Sequence, residues 1–363
     1  LRTLEVAHRP VPADCPACAG RPVAVGVDLL IRQTPGYGIL TLVAVVSRDR
    51  RDAGTVPNRI RSLIGIMSQP LVSVVIPTYN HARFLPAALQ SVLAQTESRW
   101  EAIVVNNFSQ DDTVSVVDSF GDARIRLVNF ANHGVIAASR NHGIALTAAP
   151  YIAFLDSDDV WYPEKLARCL QHMAQGFDLV CHAERWIGPG TRTREVAYGP
   201  EARATYRSLL YEGNCISTSA VVVKREYVER AGRFSEEAAF ITAEDYDLWL
   251  NLAKVGTRMG FVPEVLGEYL IHDGNQSRVA LRNMEAVMAV VRHHLHGEQE
   301  RGKASPWRTR RRMALIYYSG GRGLQDSGQF GDAWRYFLKA VSTYPLVPKF
   351  YAAMMLNACG RRP

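Results

Sequence analysis

The chain has 363 residues, 47% of them hydrophobic and 21% charged, a composition that excludes a disordered or fibrous protein and allows a large buried core. Its 42 Lys and Arg against 35 Asp and Glu leave a formal charge of +7. That mild excess suits anionic partners such as nucleotides, phosphates or a lipid surface, and falls short of a nucleic-acid packaging protein. Six cysteines, of which only Cys15 and Cys18 stand close together, make neither a paired zinc pattern nor a disulfide framework, so a reducing cytoplasm is the expected compartment. The apolar run "YGILTLVAVV" at 37–46 is shorter than the roughly 18 residues of a membrane-spanning helix.

Residues 1–66 carry scattered Pro, Gly and Arg with no sustained period. They are expected to be a poorly structured extension, or to lie outside the native protein, with the folded part starting near Met67. From Leu71 a strand–helix alternation begins. Residues 72–76 read as a buried strand, and Leu85, Ala88, Leu89, Val92 and Leu93 share one helical face. A strand at 102–105, a helix at 113–120, a strand at 125–128, a helix at 136–146 and a strand at 151–155 follow. Pro163 then opens another helix. This alternation predicts an α/β protein with a mostly parallel sheet.

In such sheets ligands sit beyond the carboxyl ends of the strands. Those ends carry Thr78, Tyr79 and Asn80, then Asn106 and Asn107, then Asp156 and Asp158. Topology predicts that they meet on one edge. The last of them sits in "YIAFLDSDDVW", where a greasy strand runs into three carboxylates, Asp156, Asp158 and Asp159. Like charges this close repel. A polar turn would tolerate them, and a divalent cation with a phosphate ligand would complete them.

Beyond residue 178 the pattern becomes irregular: "NCISTSAVVVKREYVERAGRF" at 214–234 mixes a β-like run with a short helix, and "ITAEDYDLWLNLAKVG" at 241–256 reads as a helix with Leu248, Leu252 and Val255 inward. Residues 280–297 and 306–358 read as helical. Within them "RGKASPWRTRRRM" at 301–313 holds six basic residues and no acid, a solvated face or a contact for anionic lipid.

The segments "VSVVIPTYNHARFLPAALQSVLAQT", "SRNHGIALTAAPYIAFLDSDDVWYPEKL" and "EDYDLWLNLA" resemble the inverting glycosyltransferases of family 2, from about 71 to 278. The resemblance implies the GT-A fold, a Rossmann-like sheet flanked by helices, here with a C-terminal helical extension. It divides the chain into a glycosyltransferase domain at 67–280 (a nucleotide-sugar half at about 71–178, an acceptor half at about 179–280) and a helical region at 281–363. It implies transfer of a sugar from a nucleotide-diphosphate donor to a hydroxyl of a glycan or lipid-linked acceptor, in cell-surface polysaccharide or glycolipid synthesis. The protein would be cytoplasmic, touching the inner face of an anionic membrane through 301–313, with no nucleic-acid partner.

The same resemblance assigns residues. A Mn or Mg ion would be held by Asp158, with Asp156 in the ribose or metal shell and His272 as a further metal or diphosphate contact. Pro77, Thr78 and Tyr79 would line the nucleoside pocket, and Arg140 of "SRNHG" would approach the nucleotide. Asp245 would be the base that takes the acceptor proton, with Glu244 beside it. Trp249 would hold its helix or form a sugar platform, and Asp159 would be a helix-start carboxylate. One departure stands out: relatives end the second strand in aspartates, and this chain has Asn106 and Asn107. An asparagine still accepts a hydrogen bond but adds a donor and loses the charge, which leaves the base open between uridine, thymidine and guanosine. The asparagines also support an alternative, a non-catalytic nucleotide- or glycan-binding protein on a degenerate scaffold. A nucleotidyltransferase or dehydrogenase would want a glycine-rich loop after the first strand, and "PTYNHARF" has no glycine.

Overall fold

The computed structural model describes residues 26–33, 40–47, 69–189, 192–272 and 280–361. The chain divides into two compact units, Leu1–Ser68 and Gln69–Pro363. In the first, strands β1 (Gly26–Gln33) and β2 (Leu40–Ser47) pair antiparallel, with Gly26 opposite Ser47. These two strands are the described part of the segment expected to be a poorly structured extension. The apolar run at 37–46 is too short for a bilayer but has the length and β-branched content of a strand.

The second unit is built on a sheet of nine strands among the described residues. They are β3 (Val72–Thr78), β4 (Trp100–Asn106), β5 (Ile125–Asn129), β6 (Tyr151–Phe154), β7 (Val160–Trp161), β8 (Leu179–Ile187), β9 (Arg194–Val196), β10 (Val221–Lys224) and β11 (Met259–Leu270). Their order is β5-β4-β3-β6-β10-β8-β11-β7, with β9 beside β8. The four strands on the β5 side run parallel, as the alternation predicts. β10 enters antiparallel between β6 and β8, and β8 and β11 are again parallel.

Strand periodicity sorts the core into two layers. Val72, Val74 and Ile76 face helices α1 (Leu85–Leu93) and α4 (Lys165–Met173), which bury Leu85, Leu89, Leu166 and Cys169 there. Val75, Ile152 and Phe154 face the other way, with Ala137 and Ile144 of α3 (Ile136–Ala145). Helix α2 (Thr113–Ser119) covers the edge with Val117. Helices α5 (Tyr206–Glu212), α6 (Arg225–Arg230) and α7 (Glu244–Lys254) complete the second layer. Trp249 is wholly buried in it, so it holds the helix and is no sugar platform.

Four helices follow: α8 (Ala280–Glu300), α9 (Pro306–Asp326), α10 (Phe330–Thr343) and α11 (Pro348–Ala358). They belong to the same compact unit as the sheet. Met284, Val290, Val291 and Leu295 of α8 share one cluster with Tyr246 and Trp249 of α7. The long helical stretch expected at 306–358 is broken at Gly328, whose φ of 76° ends α9, and at the prolines before α11.

Candidate functional site

The parallel register brings the strand ends together. Thr78 lies opposite Asn106, and Asn106 opposite Asn129. β6 runs beside β3 and delivers the acidic loop to the same edge. An open cleft of about 2280 Å³ lies over it, lined by Thr78, Tyr79, Asn107, Arg140, Asp156, Asp158, Glu244, Asp245 and His272 together. Residues from 77 to 272 thus converge, although no local pattern links them.

The acidic loop is braced from beneath. Ser219 Oγ donates to Asp159 Oδ2 at 2.5 Å, and Leu270 N donates to Asp159 Oδ1 at 3.1 Å. Asp159 is therefore a buried strut between the loop, β10 and β11, and not the helix-start carboxylate expected. Burial, then the charges of Asp158 and Glu184, push its pKa well up. Asp156 and Asp158 are left facing the cleft with different partners. Arg140 Nη2 lies 2.7 Å from Asp156 Oδ1, while His272 Nε2 lies 2.9 Å from Asp158 Oδ2. Burial, then the charge of Asp156, raises the pKa of Asp158.

Arg140 is a buried fork. Its Nη1 reaches Glu244 Oε1 at 2.6 Å as its Nη2 holds Asp156. Burial opposes its charge, but the two carboxylates outweigh burial and raise its pKa. It ties the acidic loop to α7, and its guanidinium is committed to protein carboxylates. Glu244 is spent in the same way. Its Oε2 accepts from Thr242 N at 2.9 Å, in a turn where Thr242 has a φ of 85°. Asp245 is more accessible than Glu244 at the cleft wall. Its Oδ2 accepts from Thr218 Oγ1 at 3.0 Å and its Oδ1 from Tyr246 N at 2.6 Å. Burial, then the neighbouring charge of Glu244, raise its pKa to about 6.

On the β3 side Tyr79 is half exposed at the rim, whereas Thr78 is buried, and its Oγ1 has no hydrogen-bond partner among the described residues. Asn107 lines the cleft and accepts from Asn132 N at 3.0 Å through Oδ1. Asn106 does not reach it. Its Nδ2 donates to Asn129 Oδ1 at 2.8 Å, and its Oδ1 accepts from Ser109 N and Oγ, so it locks β4 to β5. The two asparagines thus differ, and Asn107 alone of the pair remains placed to meet a ligand.

Three contributors are not evident from the sequence. His81 Nδ1 lies 2.8 Å from Ser157 Oγ, inside the acidic loop, and its ring is 6.1 Å from that of His272. Burial lowers its pKa. Thr218 and Ser219 come from the irregular stretch before β10. The one available signal was the position of His81 directly after "PTYN". The basic run at 301–313 is divided. Arg312 turns inward and donates to Tyr246 Oη at 3.3 Å, and Arg301 pairs with Glu298. The stretch "NQS" at 275–277, which matches a glycosylation acceptor pattern, lies outside the described residues.

Asp158 and His272 offer one carboxylate and one imidazole side by side. Among the described residues no group of three or more His, Cys, Asp or Glu is arranged to hold a metal ion. Two protein ligands suit a hard divalent ion that takes its remaining ligands from substrate phosphate and water.

The cleft thus sets an acidic loop at the carboxyl edge of an α/β sheet, faced by a carboxylate at a helix start. Residues 73–232 match the family described as Glycosyl transferase family 2. The putative teichuronic acid biosynthesis glycosyltransferase TuaG of Bacillus subtilis is 30% identical over 211 residues, 55% of this chain and 79% of its own. The UDP-Glc:alpha-D-GlcNAc-diphosphoundecaprenol beta-1,3-glucosyltransferase WfgD of Escherichia coli is 33% identical over 189 residues, 52% of this chain and 72% of its own. Among solved structures, S. aureus TarS in complex with UDP-GlcNAc superposes with a TM-score of 0.54 at 16% identity, covering 80% of this chain and 88% of that one. The mannosyltransferase PcManGT from Pyrobaculum calidifontis, in complex with GDP-Man and Mn2+, gives 0.52 at 20% identity and covers 80% of each chain. This chain belongs to glycosyltransferase family 2.

Proposed function

We propose that the protein is an inverting, divalent-metal-dependent glycosyltransferase. It moves a hexosyl or related residue from a nucleoside-diphosphate sugar to the hydroxyl of a glycan or lipid-linked acceptor, in cell-surface polysaccharide or glycolipid synthesis. The observation that carries this reading is the position of Asp245, at the start of α7 on the wall of the cleft that Asp156 and Asp158 also line. The named relative WfgD acts on a diphosphoundecaprenol-linked sugar, which favours a lipid-linked acceptor and a peripheral place at the inner membrane face. Among the described residues no helix is long and apolar enough to cross a membrane.

In this reading the nucleoside lies against Pro77, Thr78, Tyr79 and Asn107, with Tyr79 stacking on the base. The unpartnered Thr78 Oγ1 fits a ligand hydrogen bond. Asp158 and His272 would hold a divalent ion, whose charge would offset that of the leaving diphosphate. Asp156, held by Arg140, bounds the ribose side. Asp245 accepts the acceptor's hydroxyl proton as that oxygen attacks the anomeric carbon from the face opposite the diphosphate. One displacement at that carbon inverts its configuration. Arg140 and Glu244 act by positioning, since their charged atoms are already bonded to each other. The donor residues come from the half at 71–178, joined by His272 of the half at 179–280, which also supplies Asp245 for the acceptor. The non-catalytic alternative leaned on the asparagine pair, and Asn106 is occupied in joining strands.

The test is transfer itself. Nucleoside-diphosphate hexoses are offered with Mn²⁺ and a polyprenyl-diphosphate sugar, and the product anomer is assigned by NMR. The expected product has the configuration opposite to the donor. A product that retains it, or folded protein that transfers from none of the donors, overturns the reading.

A further inference from the structure

The outer face of α11 and the turn before it are apolar and uncovered among the described residues. Leu346 is 76% exposed and Met355 is 72% exposed, with Tyr351 and Leu356 also open to solvent. Tyr351 and Met355 stand one helical turn apart, so they share a face. Tyr351 Oη donates to Pro345 O at 3.0 Å, which sets the turn carrying Leu346 beside that face. The opposite face is anchored. Phe350 is fully buried against Tyr318 at 5.1 Å, and Asn357 Nδ2 donates to Phe330 O at 2.9 Å. The exposed face is thus held rigidly outward, at a cost in apolar hydration that an isolated soluble surface avoids.

Charge selects the occupant. Residues 333–363 contain no Asp or Glu and five basic residues, Arg335, Lys339, Lys349, Arg361 and Arg362. A second copy docked here about a two-fold axis would set this acid-free segment against itself. An anionic bilayer complements it, taking the apolar side chains at the headgroup boundary and attracting the basic ones. We propose that this face, and not the run at 301–313, seats the protein on an anionic lipid surface. The proposal rests on the peripheral placement given above but not on the donor site.

The test is co-sedimentation of the full chain with vesicles of phosphatidylcholine and phosphatidylglycerol (7:3), and with phosphatidylcholine alone. Three variants are compared: Leu346→Ser with Met355→Ser, Lys349→Glu, and Arg310→Glu in the other run. All four positions are solvent-exposed, and thermal melts and nucleotide binding check that each variant folds and keeps its donor site. The wild type is expected to partition about tenfold more onto the anionic vesicles, with the double serine variant losing about tenfold and Arg310→Glu changing little. Unchanged partition of the double variant, or loss on Arg310→Glu alone, overturns the proposal. So does a wild-type dimer in light scattering that the double serine variant dissolves, because the face would then belong to a second copy.

Discussion

Arg140 is the residue on which the two halves of the site depend. It is 4% exposed and bonds Glu244, 7% exposed, and Asp156, 31% exposed. Replacing it with Met strands those carboxylates beside each other. The expected cost is about 3–5 kcal/mol, by the rule that breaking a buried pair leaves an uncompensated charge. Urea denaturation measures it, and a loss below about 1 kcal/mol would mean the fork is incidental. Asp245 makes a pH prediction. Its pKa of about 6 means that the base is protonated below that value and free above it. kcat/KM should therefore fall with an acid limb near pH 6 and level off above. Asp245→Asn should lower kcat about 10²–10⁴-fold while nucleotide binding stays unchanged. For stability the sign is opposite. The folded pKa lies above the ordinary 3.8, so this group favours the fold at acid pH and loses that contribution as pH rises through about 6. The sequence showed Asp156, Asp158 and Asp245 through their motifs, but could not show which carboxylates were already spoken for. Asp159, Glu244 and Asn106 owe their structural roles to partners 60, 104 and 23 residues away.

At the scale of elements, the parallel half was legible because β3, β4 and β6 are short apolar runs separated by helices. The strand β10 was legible as a β-like run ahead of a short helix, but its place in the sheet was not. Its antiparallel insertion between β6 and β8 depends on pairing across the sheet, which no local period encodes. Helix α3 lies on β3 and β4 by way of Gly143, where an added Cβ would meet Val75 Cγ1 at 2.6 Å and Val105 Cγ2 at 3.2 Å. The glycine in "SRNHG" is there for that approach. Gly143→Val should destabilise the unit by about 1–3 kcal/mol through overpacking. It should also weaken nucleotide binding, since α3 carries Arg140. A denaturation midpoint equal to that of the wild type would contradict the close approach.

At the scale of the molecule, the C-terminal helices are part of the folded unit. Val291 of α8 lies in the main cluster with Trp249, while Phe337 of α10 packs in a smaller cluster with Leu324 and Ala353. Both are fully buried. Phe337→Ala should cost about 3–5 kcal/mol, and calorimetry should show the transition of residues 69–363 moving down as one peak. A separate low-temperature peak would make α9–α11 an independent module. The sequence marked these helices but not their attachment, because the residues that attach them are ordinary apolar ones. The inward turn of Arg312 onto Tyr246 is part of that attachment, and it takes one of the six basic residues away from the face read at 301–313.

The proposed function rests on a metal-dependent donor site at the carboxyl edge of the sheet. Titration calorimetry with UDP, TDP, GDP and CDP tests it most directly, with and without Mn²⁺, on the wild type and on Asp158→Ala. Metal-dependent binding of one nucleotide, lost in the variant, is the expected result, and the preferred base would identify what Asn107 accepts. Failure of well-folded wild type to bind any of the four, or binding that Asp158→Ala leaves intact, would contradict it.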